Sequence, residues 1–398
     1  MVKTLINNLT DKDTQMIPFG SLGIIAMDGS KELGNLIDKY LVEWRKNYIE
    51  ENPKSLAFPG YQRDSFLIST SCPRFSSGEG KAVINETVRG YDLFIIADVC
   101  NYSLTYKMFG MECPMSPDNH FQDIKRIISA VGGKARRINL IMPLLYQGRQ
   151  HKRISRESLD CAIALQELAS LGVDNIITFD AHDPRVQNAI PLKGFENVHP
   201  TYQIIKALLN SEKDLSINKS KMLVISPDEG GIGRSLYYSA VLGLDLALFY
   251  KRRDYSKIVN GRNPIVSHEF LGDCVEGKDV LIVDDLVASG ESLLDIAKEL
   301  KLRKANRIYM AVSFALFTDG LDKFHEYYNK GLITKLFATN LTYRKEELKK
   351  SPWFVEVDMS KFLAHLINKL NHDESIGPLL DPSDKIKGLL DNYRRQSL

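Results

Sequence analysis

Apolar positions along this chain fall into two alternating rhythms. Short aliphatic runs at Leu93 to Ala97, Ile138 to Met142, Asn175 to Phe179, Met222 to Ser226, Val280 to Val283, Ile308 to Ser313 and Lys335 to Ala338 read as strands. Between them apolar residues recur at helical spacing. Asp28 to Trp44 carries Leu33, Leu36, Ile37, Tyr40 and Leu41 on one face; Ser158 to Leu171 carries Cys161, Ala162, Leu165, Leu168 and Ala169, with Gly172 placed to end it. Strands alternating with helices for most of the length predict parallel α/β architecture. A loop is expected from Arg45 to Leu67, where Pro53, Pro59 and Gly60 interrupt the pattern. The stretch Leu209 to Lys221 is polar and aperiodic just before a new strand, so it is the expected boundary between domains spanning 1–208 and 209–398. Near the end, Lys361 to Leu370 reads as an amphipathic helix, and Pro378, Pro382 and the polar final residues predict a looser tail.

A length of 398 residues is sufficient for two or three domains, and 44% hydrophobic with 26% charged residues is ordinary for a folded chain. No apolar run approaches the roughly 20 residues needed to span a bilayer, and no signal-peptide pattern is seen, so a cytoplasmic protein without membrane contact is expected. Cys72, Cys100, Cys113, Cys161 and Cys274 are scattered and predict reduced thiols rather than a disulfide framework or CxxC metal site. A net charge of +2 gives no electrostatic case for a nucleic-acid partner.

The most informative stretch is Val283-Asp284-Asp285-Leu286-Val287-Ala288-Ser289-Gly290-Glu291-Ser292. It puts two carboxylates and a hydroxylated turn after a core strand, where open α/β sheets collect ligands. Backbone N–H groups from Ser289 to Ser292, at the positive end of the following helix, suit a phosphate; Ser289 or Ser292 could cap that helix. Asp284 and Asp285 would accept hydrogen bonds from two sugar hydroxyls, directly or through a metal.

Other segments carry complementary chemistry. Asp180-Ala181-His182-Asp183 puts an imidazole between carboxylates at a strand end, where it could bind a divalent cation or position a phosphate. Ser226-Pro227-Asp228-Glu229-Gly230-Gly231 lets backbone approach a ligand closely, and Asp228 offers a hard oxygen for Mg²⁺. Tyr250-Lys251-Arg252-Arg253 is read as a cationic loop after an apolar strand, able to offset charge on a transferring phosphoryl group. Gln147-Gly148-Arg149-Gln150-His151 could grip nucleotide phosphates and a purine edge, and Phe75 in Arg74-Phe75-Ser76-Ser77-Gly78-Glu79 offers a ring for stacking. There is no GxxxxGK[ST] loop and no GxGxxG fingerprint, so any ATP must be held by another route.

Taken in chain order, the Phe75–Glu79 turn, Val88-Arg89-Gly90, Arg149-Gln150, Asp180-Ala181-His182, Asp228-Glu229-Gly230-Gly231, Lys251-Arg252-Arg253 and the Asp284-Asp285 loop resemble the ribose-phosphate pyrophosphokinase family. The resemblance implies two phosphoribosyltransferase-like domains, each a mainly parallel sheet flanked by helices. It implies transfer of the diphosphoryl group of ATP to O1 of ribose 5-phosphate, with AMP as the other product. By position it implies Phe75, Glu79, Arg149 and Gln150 at ATP, and His182 and Asp228 as ligands of Mg²⁺. Lys251 and Arg253 would be catalytic, and Asp284, Asp285, Ser289, Gly290 and Ser292 would hold ribose 5-phosphate. A homo-oligomer, dimer or hexamer, is also implied. The chain departs from the family pattern at Ser77, at His151, where an acid is usual, and at Ala288 and Glu291. The competing readings are a catalytically silent regulatory paralogue and a phosphoribosyltransferase that consumes the diphosphate.

Overall fold

The computed structural model describes residues 17–51, 58, 60–253 and 265–396, apart from the side chains of 251–253, 265–268 and 396. The chain packs as two compact units. Unit 1 comprises Met1–His199, Leu341–Tyr343 and Met359–Asp381; unit 2 comprises Pro200–Asn340, Arg344–Asp358 and Pro382–Leu398.

The strands of unit 1 are β1 (Ser21–Ala26), β2 (Thr70–Ser71), β3 (Val83–Ile84), β4 (Tyr91–Ile96), β5 (Thr105–Met108), β6 (Met111–Pro114), β7 (Arg137–Ile141), β8 (Asn175–Phe179) and β9 (Gly194–Val198). Five form one parallel sheet in the order β1-β4-β7-β8-β9, while β2-β3 and β5-β6 are small antiparallel ribbons. Leu93 to Ile96 and Ile138 to Ile141 are buried almost completely, as central strands covered on both faces require. Helices Lys31–Glu51, Pro117–Val131 and Asp160–Ser170 belong to the same unit. Ser116 caps the second by accepting from Asn119 N–H, and Gly132 in the left-handed region ends it.

Unit 2 contains β10 (Met222–Ser226), β11 (Asp245–Arg253), β12 (Ile265–Leu271), β13 (Asp279–Val287), β14 (Ile308–Ala315), β15 (Lys335–Thr339) and β16 (Phe354–Val357). Their order is β12-β11-β10-β13-β14-β15-β16, parallel throughout except for the antiparallel β11–β12 edge. All eight residues of β14 are buried, which fits its place inside the sheet.

Each of the seven strands expected from the aliphatic runs is present, with ends shifted by a few residues. Four readings are corrected. The first helix does not stop at Trp44 but continues to Glu51, because Arg45 is itself buried between the rings of Tyr61 and Phe66; Pro53 and Pro59 lie outside the described residues. The tail is not loose: Gly377–Leu380 and Ser383–Gln396 are helices, with Ile386 and Leu390 buried. Tyr250 to Arg253 are part of β11 rather than a loop, since β12 supplies antiparallel partners as far as Arg253. Asp284 and Asp285 likewise lie within β13 rather than after it, because β14 continues to pair beyond Val283.

The helix Ser360–Asn371 packs in unit 1 although the sequence places it after unit 2 strands. A buried polar network holds it there. Asn371 donates to Asp92 Oδ2 at 2.9 Å and to the Gly20 carbonyl at 3.1 Å, and accepts from Arg45 Nη2 at 2.7 Å. Arg137 donates twice to Asp92 at 2.8 Å and once to the Leu370 carbonyl at 2.7 Å. Burial lowers the Arg45 pKa to about 10, but the guanidinium remains charged at neutral pH.

Candidate functional site

In unit 2 the sugar-phosphate candidate is built by β13 and the helix Glu291–Leu302. Burial in β13 is continuous from Asp279 to Val283 and then alternates, so Asp284 is half-buried while Asp285 is buried. Asp284 Oδ1 accepts from Asp285 N–H at 2.9 Å. Desolvation, then the adjoining Asp285 charge, hold the Asp284 carboxyl well above the usual carboxylate range. Gly290 caps the helix at φ +86°, and a Cβ there would meet Phe324 Cε2 at 2.4 Å. The backbone geometry and the closeness of that ring therefore both demand glycine. Neither serine is the cap; Ser289 Oγ instead accepts from Glu291 N–H at 3.4 Å, and Ser292 is exposed in the first helical turn. Glu291 forms an ion pair with Lys323 at 2.5 Å, which accounts for an acid in this turn. The structure offers no account of Ala288.

Arg234 is a site residue that is not among those assigned from sequence. Its two terminal nitrogens lie 3.9 Å from Asp284 Oδ1 and 3.8 Å from Asp285 Oδ2. The signal was available: Arg234 falls in the first turn of the helix Ile232–Leu242 directly after the glycine-rich turn. In that turn Asp228 Oδ1 accepts from Gly230 and Gly231 N–H at 3.0 and 3.2 Å, and Ser226 Oγ donates to the Asp228 carbonyl. In β11, Lys251 pairs with His268 and Arg253 with Ile265 in backbone register; their side chains lie outside the described residues.

In unit 1, Phe75 N–H donates to the Glu79 carbonyl at 2.7 Å and Ser77 Oγ to the Glu79 carboxylate at 3.0 Å, closing a tight turn. Phe75 is 54% exposed in that turn. Arg149 is exposed after β7, and Gln150 donates to the Ser158 carbonyl at 2.8 Å. His182 follows β8. Asp180 holds φ +43° there while buried, facing His199 at 3.3 Å, and Ala181 N–H donates to Asn197 Oδ1 at 2.8 Å. An aspartate in the left-handed region is a sparse conformation that its surroundings must enforce; Asn197, whose place on β9 gave no sequence signal, supports it.

His151 and His182 have ring centroids 5.3 Å apart, and His151 Nε2 lies 3.5 Å from Asp183 Oδ2. Burial lowers the His151 pKa, and the Arg185 guanidinium lowers that of Asp183 to about 2. Unit 1 thus holds Phe75, Glu79, Arg149, Gln150 and His182, and unit 2 the remaining candidates. Among the described residues, no group of three or more His, Cys, Asp and Glu side chains is gathered as a metal cage.

Two family models match the chain: the N-terminal domain of ribose phosphate pyrophosphokinase over residues 22–172 and the phosphoribosyl transferase domain over residues 193–338. The ribose-phosphate pyrophosphokinase of Vibrio cholerae is 28% identical over 311 residues, covering 77% of this chain and 90% of the relative. That of Shewanella oneidensis is 29% identical over 309 residues, covering 77% and 89%. In fold the chain is similar to the phosphoribosylpyrophosphate synthetase of Mycobacterium smegmatis, with TM-score 0.69 at 19% identity over 89% of this chain and 99% of that one. Two phosphoribosyltransferase-type halves, matched in order by both domain models and along most of their length by these relatives, make the chain a divergent member of the ribose-phosphate pyrophosphokinase family.

Proposed function

We propose that this chain is an active ribose-phosphate diphosphokinase. O1 of ribose 5-phosphate attacks the β-phosphorus of ATP, the bond from that phosphorus to the α,β-bridging oxygen breaks, and AMP leaves. The observation that carries the reading is the strand–turn–helix at 284–292. It sets an acid pair where sugar hydroxyls can donate to it and a glycine-led helix start where backbone N–H groups can take the 5-phosphate. Asp284 and Asp285 bind the ribose hydroxyls, and Ser289, Gly290 and Ser292 the phosphate. Arg234, near both acids, orients them and limits their repulsion. Phe75 stacks on the base, with Glu79, Arg149 and Gln150 as the polar contacts of ATP. Lys251 and Arg253 offset charge on the transferring group, since phosphoryl-type transfer depends on positioning and charge stabilisation more than on covalent help.

The donor set fits Mg²⁺ held largely by phosphate oxygens and water. Asp228 and His182 offer one donor each, and Mg²⁺ characteristically takes one or two protein ligands beside substrate phosphates. When bound, it supplies charge neutralisation on the diphosphoryl oxygens. Asp228 is held for that task by its own turn, and His182 by the supported backbone at Asp180 and Ala181. The functional domains run 1–208, carrying the ATP elements, and 209–398, carrying the sugar loop. We place the protein in the cytoplasm as a homo-oligomer, dimer or hexamer, with no nucleic-acid or membrane partner; no helix among the described residues is long and apolar enough to cross a membrane.

The test is a direct assay. Purified protein with ATP, Mg²⁺ and ribose 5-phosphate is expected to yield AMP and phosphoribosyl diphosphate in equal amounts. No product with any divalent metal would sink the proposal.

A further inference from the structure

A cavity of about 660 Å³ lies within unit 1, and none of the residues assigned above to nucleotide, metal or sugar lines it. One wall is Leu104 with Thr105, Tyr106 and Lys107 of the β5–β6 ribbon; His120 and Asp123 of the helix Pro117–Val131 face them. The volume falls in the range of roughly 300–1,000 Å³ that small-molecule sites occupy.

Its charges are unevenly compensated. Asp123 accepts from both Arg74 Nη2 and Arg126 Nη1 at 2.7 Å, so that carboxylate is already answered by two guanidinium groups. Lys31 pairs with Asp28 at 2.5 Å on the rim. The Lys107 ammonium has no partner among the described residues, and the lining carries three cations against two carboxylates. An anion is therefore favoured.

His120 restricts which anion. The residue is only 5% exposed, and its Nε2 lies 2.8 Å from the Asn101 carbonyl oxygen, so Nε2 carries the proton of the neutral ring. Nδ1 is then a lone-pair acceptor with no partner among the described residues. That acceptor suits a ligand N–H, whereas a bare phosphate oxygen at the same point would be repelled. Met27, Leu104 and Met115 line the same space; methionine thioethers adapt to aromatic faces.

We propose that this cavity binds a phosphate-bearing heteroaromatic molecule of nucleoside monophosphate size. Lys107 and Lys31 take its phosphate, His120 Nδ1 accepts from a ring or exocyclic N–H, and Met27 and Met115 hold the ring. This site is separate from the reaction proposed above and does not depend on it.

Photolabelling the full chain with 8-azidoadenosine 5′-monophosphate, followed by peptide mapping, tests it. Label is expected within 104–123, competed by AMP but not by inorganic phosphate. Lys107→Glu is expected to weaken AMP binding at this site by about tenfold or more in calorimetry, as loss of a charge-assisted contact implies. Leu104→Trp, which fills the cavity, is expected to abolish the 104–123 label. Both variants should keep the basal activity of the wild-type chain. Label confined to 75–79 or 149–150, competition by inorganic phosphate equal to that by AMP, or unchanged binding in Lys107→Glu would each overturn the proposal. Lys107 is exposed, so that variant remains informative even where Leu104→Trp fails to fold. Because binding is read without turnover, an inactive enzyme and an absent cavity ligand give different results.

Discussion

Asp284 is a candidate site residue whose protonation the fold alters. Its folded carboxyl holds a proton more tightly than in the unfolded chain, because burial and then the Asp285 charge disfavour the anion. The folded state therefore binds more protons between the ordinary carboxylate range and the raised value, and stability falls as pH rises through that window. Asp284→Asn is expected to flatten this fall and raise the thermal midpoint at neutral pH while weakening ribose 5-phosphate binding. Melting curves from pH 4 to pH 8, beside KM for the sugar, check both parts. Gly290→Ala presents the opposite balance: positive φ and the adjacent Phe324 ring predict a loss of about 1–3 kcal/mol in urea unfolding, with a higher KM for ribose 5-phosphate. The acid pair and the turn could be read from residue order. Arg234 stands beside the glycine-rich turn in the sequence, but its approach to the acid pair, like the support Asn197 gives to Ala181, depends on which strand ends meet.

At the scale of elements, the aliphatic runs located the inner strands because burial on both faces makes them uniformly apolar. β9, by contrast, was missed: Gly194–Val198 is mostly half-buried and carries Glu196 and Asn197. β11 shows why a strand end cannot be fixed from hydrophobicity. Lys251 to Arg253 are polar, yet β12 continues the ladder beside them. On the proposed role, Lys251→Ala is expected to cut kcat by on the order of 10² or more while changing KM little, as loss of a transition-state donor would; an equal loss in binding, measured by calorimetry with ATP, would reduce Lys251 to a binding residue. The helix Ser360–Asn371 was legible as a helix but not as part of unit 1. Asn371→Ala leaves Arg45 and Asp92 each short of a buried partner, so unit 1 is expected to lose about 2–3 kcal/mol. Trp44, stacked on His365 at 4.1 Å between ring centroids, gives the fluorescence probe for that denaturation curve.

For the whole molecule, alternating periodicity was enough for two α/β halves, and motif order was enough for the family. What the sequence determined by itself is therefore whatever is local: the inner strands and most helices, where Asp228 and His182 stand relative to strand ends, and which residue types accompany them. Burial, hydrogen-bond partners and the path of the chain were decided only by tertiary structure. Residues 341–343 and 359–381 pack in unit 1 although unit 2 segments flank them in the chain, the last helix is fixed when Tyr393 donates to the Glu212 carbonyl, and His120 and Lys107 meet on one cavity. The physical reason is that hydrophobic patterning acts within a few residues, whereas a buried Asp92 or Arg45 requires partners wherever the chain can bring them, and those partners lie from 16 to 326 positions away.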